Sequence, residues 1–163
     1  MITDIFDNSF GFEGKFYSEI FKTDMTLMIN YKICLDYVQQ CVDEFNSLDN
    51  ELVETICRGA KAYCLDFLKE AGGDVYGKMK ISVTPETPPL EMLKCFKPTV
   101  LIVKRPKDED SIGYQLECRT DWDIEHSMEI DILDNKVVYL SSFNGYSPWR
   151  EYDTGEYNYI NKI

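Results

Sequence analysis

Ile112-Gly-Tyr-Gln-Leu-Glu-Cys-Arg-Thr-Asp-Trp-Asp-Ile-Glu-His-Ser-Met-Glu-Ile-Asp-Ile-Leu133 reads as two strands hinged on a polar corner, residues 121–126. In the first strand, Ile112–Arg119, the residues Ile112, Tyr114, Leu116 and Cys118 share one face, and Gln115, Glu117 and Arg119 share the other. That period of two is the mark of a half-buried strand. The second strand, Ser127–Leu133, is joined to Lys136–Ser142 by Asp134-Asn135. Both loop residues tolerate left-handed backbone, so the pair predicts a type I′ turn. The resulting register sets Ile132 opposite Val137 and Ile130 opposite Tyr139 on the core face, and turns Glu129 and Asp131 the other way.

Working outward, Pro106–Ser111 is a charged turn, and Thr99–Lys104 is an apolar, β-branched run that suits a central strand. Residues 1–13 read as an irregular lead-in, followed by a hairpin of Lys15–Phe21 and Asp24–Tyr31. From Cys34 the period becomes helical: Leu35, Val38, Cys41, Val42 and Phe45 follow the i, i+3, i+4 rule. Asp49 is placed to cap a second helix whose stripe runs from Leu52 to Leu68, with Gly72-Gly73 as its stop. In the connector 73–89, Lys80–Val83 reads as a short edge strand. Thr87 then caps a short helix with Pro88 at its first position, running through Leu90, Leu93 and Cys95. The order predicts one α+β domain over residues 1–163. It has an antiparallel sheet, made of an N-terminal hairpin and a C-terminal four-strand meander, with a two-helix hairpin and a short helix packed on one face.

The chain has 163 residues and is 44% hydrophobic, enough to bury roughly 70% of the surface its unfolded form exposes. A formal net charge of −12 disfavours nucleic acid and anionic lipid and suits a basic protein partner. No apolar run reaches the roughly 20 residues of a membrane helix, and the N-terminus lacks the pattern of a signal peptide. Two cysteine pairs, Cys34 and Cys41 and Cys57 and Cys64, have a helical spacing that separates their members by about 10.5 Å, beyond disulfide reach. The cysteines are therefore expected as free, mostly buried thiols in a reducing cytoplasm.

The corner admits two readings. Asp121, Asp123 and Glu125, on one side of an extended segment beside His126, offer hard oxygen ligands to a cation or an acid–base pair to a reaction. Alternatively, Trp122 plugs the end of the core and the carboxylates cap backbone N–H groups or pair with Arg119. No nucleophile elbow and no nucleotide-binding loop occurs. The aromatic tail, with Phe143, Tyr146, Trp149, Tyr152, Tyr157 and Tyr159, either folds over the sheet or offers anchors to a partner.

At Trp122-Asp123-Ile124-Glu125-His126-Ser127-Met128-Glu129-Ile130 the chain resembles a family of small, acidic, mostly uncharacterised bacterial proteins. Their C-terminal half carries Trp-Asp-x-Glu-His-Gly ahead of the last strands. Trp122, Asp123, Glu125 and His126 match that pattern, and Ser127 stands where it has glycine. The similarity covers roughly residues 98–142. The resemblance implies an α+β fold, no established catalysis and association with toxin–immunity systems. The expectation is thus a non-catalytic cytoplasmic immunity protein that binds a basic toxin domain, without metal or cofactor. Its candidate contact residues are Glu117, Glu129, Asp131, Trp122, Asp123, Glu125 and His126, with Asp108-Glu109-Asp110 extending the acidic face. The alternative is a metal-dependent protein or enzyme centred on Asp121, Asp123, Glu125 and His126.

Overall fold

The computed structural model describes residues 1–8, 11–30, 33–71, 79–152 and 157–163. Seven strands form one sheet in sequence order: β1 (Thr3–Asn8), β2 (Gly11–Ser18), β3 (Thr23–Asn30), β4 (Phe96–Val103), β5 (Gly113–Thr120), β6 (Met128–Leu133) and β7 (Lys136–Ser142). Every neighbouring pair is antiparallel except β3 and β4, which run parallel, Leu27 opposite Leu101 and Ile29 opposite Val103. A parallel pair needs a crossover. Helices α1 (Leu35–Asn46) and α2 (Asn50–Ala71) and a 3₁₀ helix (Pro89–Lys94) lie in it, and a last 3₁₀ helix spans Tyr159–Lys162. The α+β class holds, with the expected hairpin and meander fused into a single mostly antiparallel sheet.

The helices cover one face. Val38, Cys41, Val42 and Phe45 of α1 and Ile56, Ala60, Tyr63 and Cys64 of α2 are buried with Leu27, Ile29, Leu101, Tyr114, Leu116, Ile130 and Leu140 in one continuous core. Phe45 sits edge-on to both Phe16 and Tyr114. Asp49 caps α2 as expected, its Oδ1 accepting from Leu52 N at 2.8 Å. All six cysteines are free, and only Cys34 is exposed.

Several expectations need correction. The lead-in contains a strand, β1, because Thr3–Asn8 pair along β2 although their sequence carries little periodicity. Lys80–Val83 is not a strand; Val83 is buried and Ile81 packs partly against the core. The short helix is 3₁₀, begins at Pro89 and has no side-chain cap; Thr87 Oγ1 instead accepts from Thr84 N within its own turn. The β6–β7 turn has positive φ at Asp134 and Asn135, as a type I′ turn requires. Ile132 faces Val137, but a bulge then shifts the register, so Leu140 faces Ile130 and Tyr139 faces Asp131. The expected helix stop at Gly72-Gly73 and the strand end at Tyr31 lie outside the described residues.

Candidate functional site

β5 delivers the corner. Thr120, its last residue, accepts a hydrogen bond from Asp123 N at 3.1 Å and donates one to Asp123 O at 3.0 Å. The carboxylate of Asp123 then accepts from the backbone N–H groups of Glu125, at 3.2 Å, and His126, at 3.0 Å. Such self-capping is what short acidic side chains do in turns. Both Asp123 oxygens also stand 3.2 Å from His126 Nδ1. With Asp123 accepting, Nδ1 carries a proton. Asp121 is anchored by its N–H to Cys95 O at 2.8 Å, and its Oδ2 lies 3.6 Å from Lys80 Nζ. Trp122 is 1% exposed and edge-on to Tyr63, which stacks on Tyr159 at 5.0 Å. Trp122 thus plugs the core and Asp123 caps backbone N–H groups, while Asp121 faces Lys80 rather than Arg119.

The side chains of Asp121, Asp123 and Glu125 take different directions. Among the described residues no three His, Cys, Asp or Glu side chains converge as a metal-ligating group. Asp121 turns toward Lys80, Asp123 is taken up by its own turn, and Glu125 is exposed beyond it. No hydroxyl or thiol among the described residues hydrogen-bonds the imidazole, so the His126–Asp123 pair has an orienting carboxylate but no nucleophile on its other nitrogen.

The corner opens onto a cleft of about 740 Å³. Asp123 and His126 form one wall, α2 contributes Tyr63, Phe67 and Glu70, and β7 contributes Tyr139, Ser141 and Ser142. The segment after β7 closes it with Phe143, Asn144 and Tyr146, and the C-terminal turn adds Tyr157 and Tyr159. The sequence marked the corner but not this cleft, because its walls come from elements far apart in the chain.

Glu129 and Asp131 were expected on an open acidic face. They do leave the helix-covered side, yet both are fully buried, because residues 143–152 fold back across β5–β7. Three successive main-chain donors converge on Glu129: Asn144 N at 2.7 Å and Gly145 N at 2.6 Å on Oε2, and Tyr146 N at 2.9 Å on Oε1. Consecutive N–H groups of this kind form an anion-holding nest. Gly145 takes a φ of +69°, the left-handed value that lets the turn wrap the carboxylate. Asp131 accepts from Gln115 Nε2 at 2.9 Å and from the Tyr152 hydroxyl. Gln115 Nε2 also donates to Tyr146 O at 2.9 Å, and Lys104 Nζ donates to the carbonyls of Gly145 and Tyr146. Burial pushes Asp131 up to about 7, and raises Glu129 against the pull of its three N–H donors. Burial likewise lowers the Lys104 ammonium. Tyr139 stacks on Tyr152 at 4.7 Å, and Arg150 lies over the Tyr146 ring.

A family model described as a domain of unknown function (DUF6985) matches residues 2–147. The chain belongs to this family. No curated protein and no solved structure matches it. The DUF6985 match takes in the whole sheet, the corner and the nest that holds Glu129, and it stops before Trp149 and the C-terminal tyrosines. Within the DUF6985 domain the seven expected contact residues separate. Glu125 and His126 are exposed. Glu117 is half-buried and accepts from Ser127 Oγ at 2.8 Å. Trp122, Asp123, Glu129 and Asp131 are interior. Ser127, at the resembling pattern's glycine position, is not among the residues with positive φ. The clamp on Glu129 was missed although its signal was present: carboxylates alternating along a strand, followed by Asn144-Gly145, which can form a nest.

Proposed function

We propose that this DUF6985 protein is a non-catalytic binding protein, an immunity protein that neutralises a basic toxin domain in a reducing cytoplasm. The observation that carries the reading is a concentration of carboxylates at one end of the sheet, away from the buried Glu129 and Asp131. α1 brings Asp36 and Glu44 there, and α2 opens with Asp49 and Glu51. Asp49 and Glu51 border the same hollow as Asn135 and Lys136 of the β6–β7 turn. Asp36 and Glu109 border another with Arg105 and Lys107. Asp134 Oδ1 accepts from Ile112 N at 2.9 Å, which ties that turn to the β4–β5 loop, where Asp108, Glu109 and Asp110 are exposed. Burial raises the Glu44 carboxyl, and the nearby Asp134 charge adds to the rise. Arg105, Lys107 and Lys136 offset only part of this charge.

A field of this sign steers a positively charged protein to its target and matches the substrate surface of a nuclease. The free thiols fit a reducing compartment. The test is binding to the protein encoded by the neighbouring gene, by calorimetry at about 50 mM and about 500 mM salt. The expected result is a tight complex that weakens at the higher salt. Replacing Asp108, Glu109 and Asp110 together by their amides should slow association by about tenfold, with little change in dissociation. Absence of a complex at low salt removes the proposal.

A further inference from the structure

The cleft beside His126 lies at the far end of α2 from the acidic rim, roughly 28 Å along the helix axis from Glu51 to Glu70. It is a separate feature, and its chemistry is specific. Among the described residues its lining includes two carboxylates, Asp123 and Glu70, and no lysine or arginine. Phe67, Phe143, Tyr146 and Tyr157 line it with part of their surface exposed, and Tyr157 is 70% exposed. Its volume of about 740 Å³ is in the range of small-ligand sites.

The protein's own cations show what these rings attract. Lys162 Nζ stands 4.3 Å from the Tyr159 ring centroid and 5.4 Å from that of Tyr157, and Lys162 is also paired with Asp66 at 2.7 Å. Arg150 Cζ stands 3.9 Å from the Tyr146 centroid. In both contacts an ammonium or guanidinium rests on a tyrosine that lines the cleft. The cleft itself carries carboxylates and the same kind of walls. Cations are drawn to aromatic faces by the ring quadrupole, more strongly where water is excluded.

We propose that this cleft is a binding site for an alkylammonium or guanidinium group, supplied by a free amine or by a basic side chain of a protein ligand. Glu70 and the Asp123–His126 pair provide charge and hydrogen-bond acceptors, and Phe67, Phe143 and Tyr157 provide the aromatic walls. The inference goes beyond the proposed immunity function and stands without it.

His126 is the only histidine, so its ring protons are a single unambiguous NMR signal at the mouth of the cleft. The full-length chain is titrated with choline, with N-acetyl-arginine amide and with a short Arg/Lys peptide, and with maltose and sulfate for comparison. The expected result is a saturable shift of the His126 signal with the cations and none with maltose or sulfate. Tighter saturation by the peptide assigns the source to a protein side chain, and equal or tighter saturation by choline assigns it to a free amine. Glu70→Gln and Tyr157→Ala, both at solvent-exposed positions, should each weaken cation binding by about fivefold with an unchanged circular dichroism spectrum. The amide substitutions at Asp108–Asp110 should leave it unchanged. A response to maltose alone, a linear unsaturated response to the cations, or wild-type affinity in both variants overturns the proposal.

Discussion

Glu129 has no solvent to screen its charge, so three main-chain N–H groups take the place of water. Asp131, two residues on, has only a tyrosine hydroxyl and an amide, and the Glu129 charge opposes its ionisation. The folded chain therefore holds a proton on Asp131 up to about pH 7, whereas the unfolded chain releases it near the ordinary aspartate value of about 4. The unfolded state binds fewer protons across that window, so stability falls as pH rises through it and levels off above. At about 1.4 kcal/mol per unit, Asp131 accounts for up to about 4 kcal/mol. Urea unfolding at about pH 4.5, 6 and 8 should show this decline, and Asp131→Asn should flatten it. Equal slopes in the two proteins would mean that Asp131 is ionised in the fold. At this scale the sequence placed both carboxylates on the correct face, since alternation is strict in a strand. It could not show that a downstream segment would cover that face.

Among the elements, β5 is packed on both sides at its start. α1 reaches its start through Tyr37, whose hydroxyl accepts from Gly113 N at 3.0 Å. On the opposite side Trp149 lies against the same glycine: a Cβ at Gly113 would stand 2.8 Å from Trp149 Cζ2 and 3.2 Å from Leu133 Cδ1. Gly113→Ala must push the indole outward and loosen the covering segment, at a cost of about 1–3 kcal/mol. A lowered melting temperature with a red-shifted tryptophan emission is the expected outcome; wild-type stability would show that the ring has room to give. The free edge of β7 is held as well. Asn158 accepts from Leu140 N at 3.1 Å and donates to Val138 O at 2.8 Å, so its amide imitates a neighbouring strand. Helices α1 and α2 and the β6–β7 turn were legible because their signals are local: helical period, an Asp cap, two residues that accept positive φ. β1 and the bulge between Asp131 and Ile132 were not, since each depends on the partner strand.

For the molecule as a whole, a net charge of −12 spread over 163 residues strains the compact state by self-repulsion, the more so with carboxylates gathered at one end. Added salt should relieve that strain. Raising sodium chloride from about 20 mM to about 500 mM should lift the melting temperature by about 2–5 °C, measured by calorimetry. An unchanged or lower value would show that local ion pairs outweigh the repulsion. No helix among the described residues is long and apolar enough to cross a membrane, in keeping with the absence of any such run in the sequence.

By itself the sequence determined the α+β class, the helix pair and the meander, because each is written in periods and turn residues a few positions apart. Tertiary structure alone decided that β3 and β4 run parallel, that Glu129 and Asp131 lie inside, and that the corner faces a cleft. Those outcomes rest on contacts between segments distant in the chain, whose free energy comes from the surfaces they bury together and leaves no local pattern in either segment.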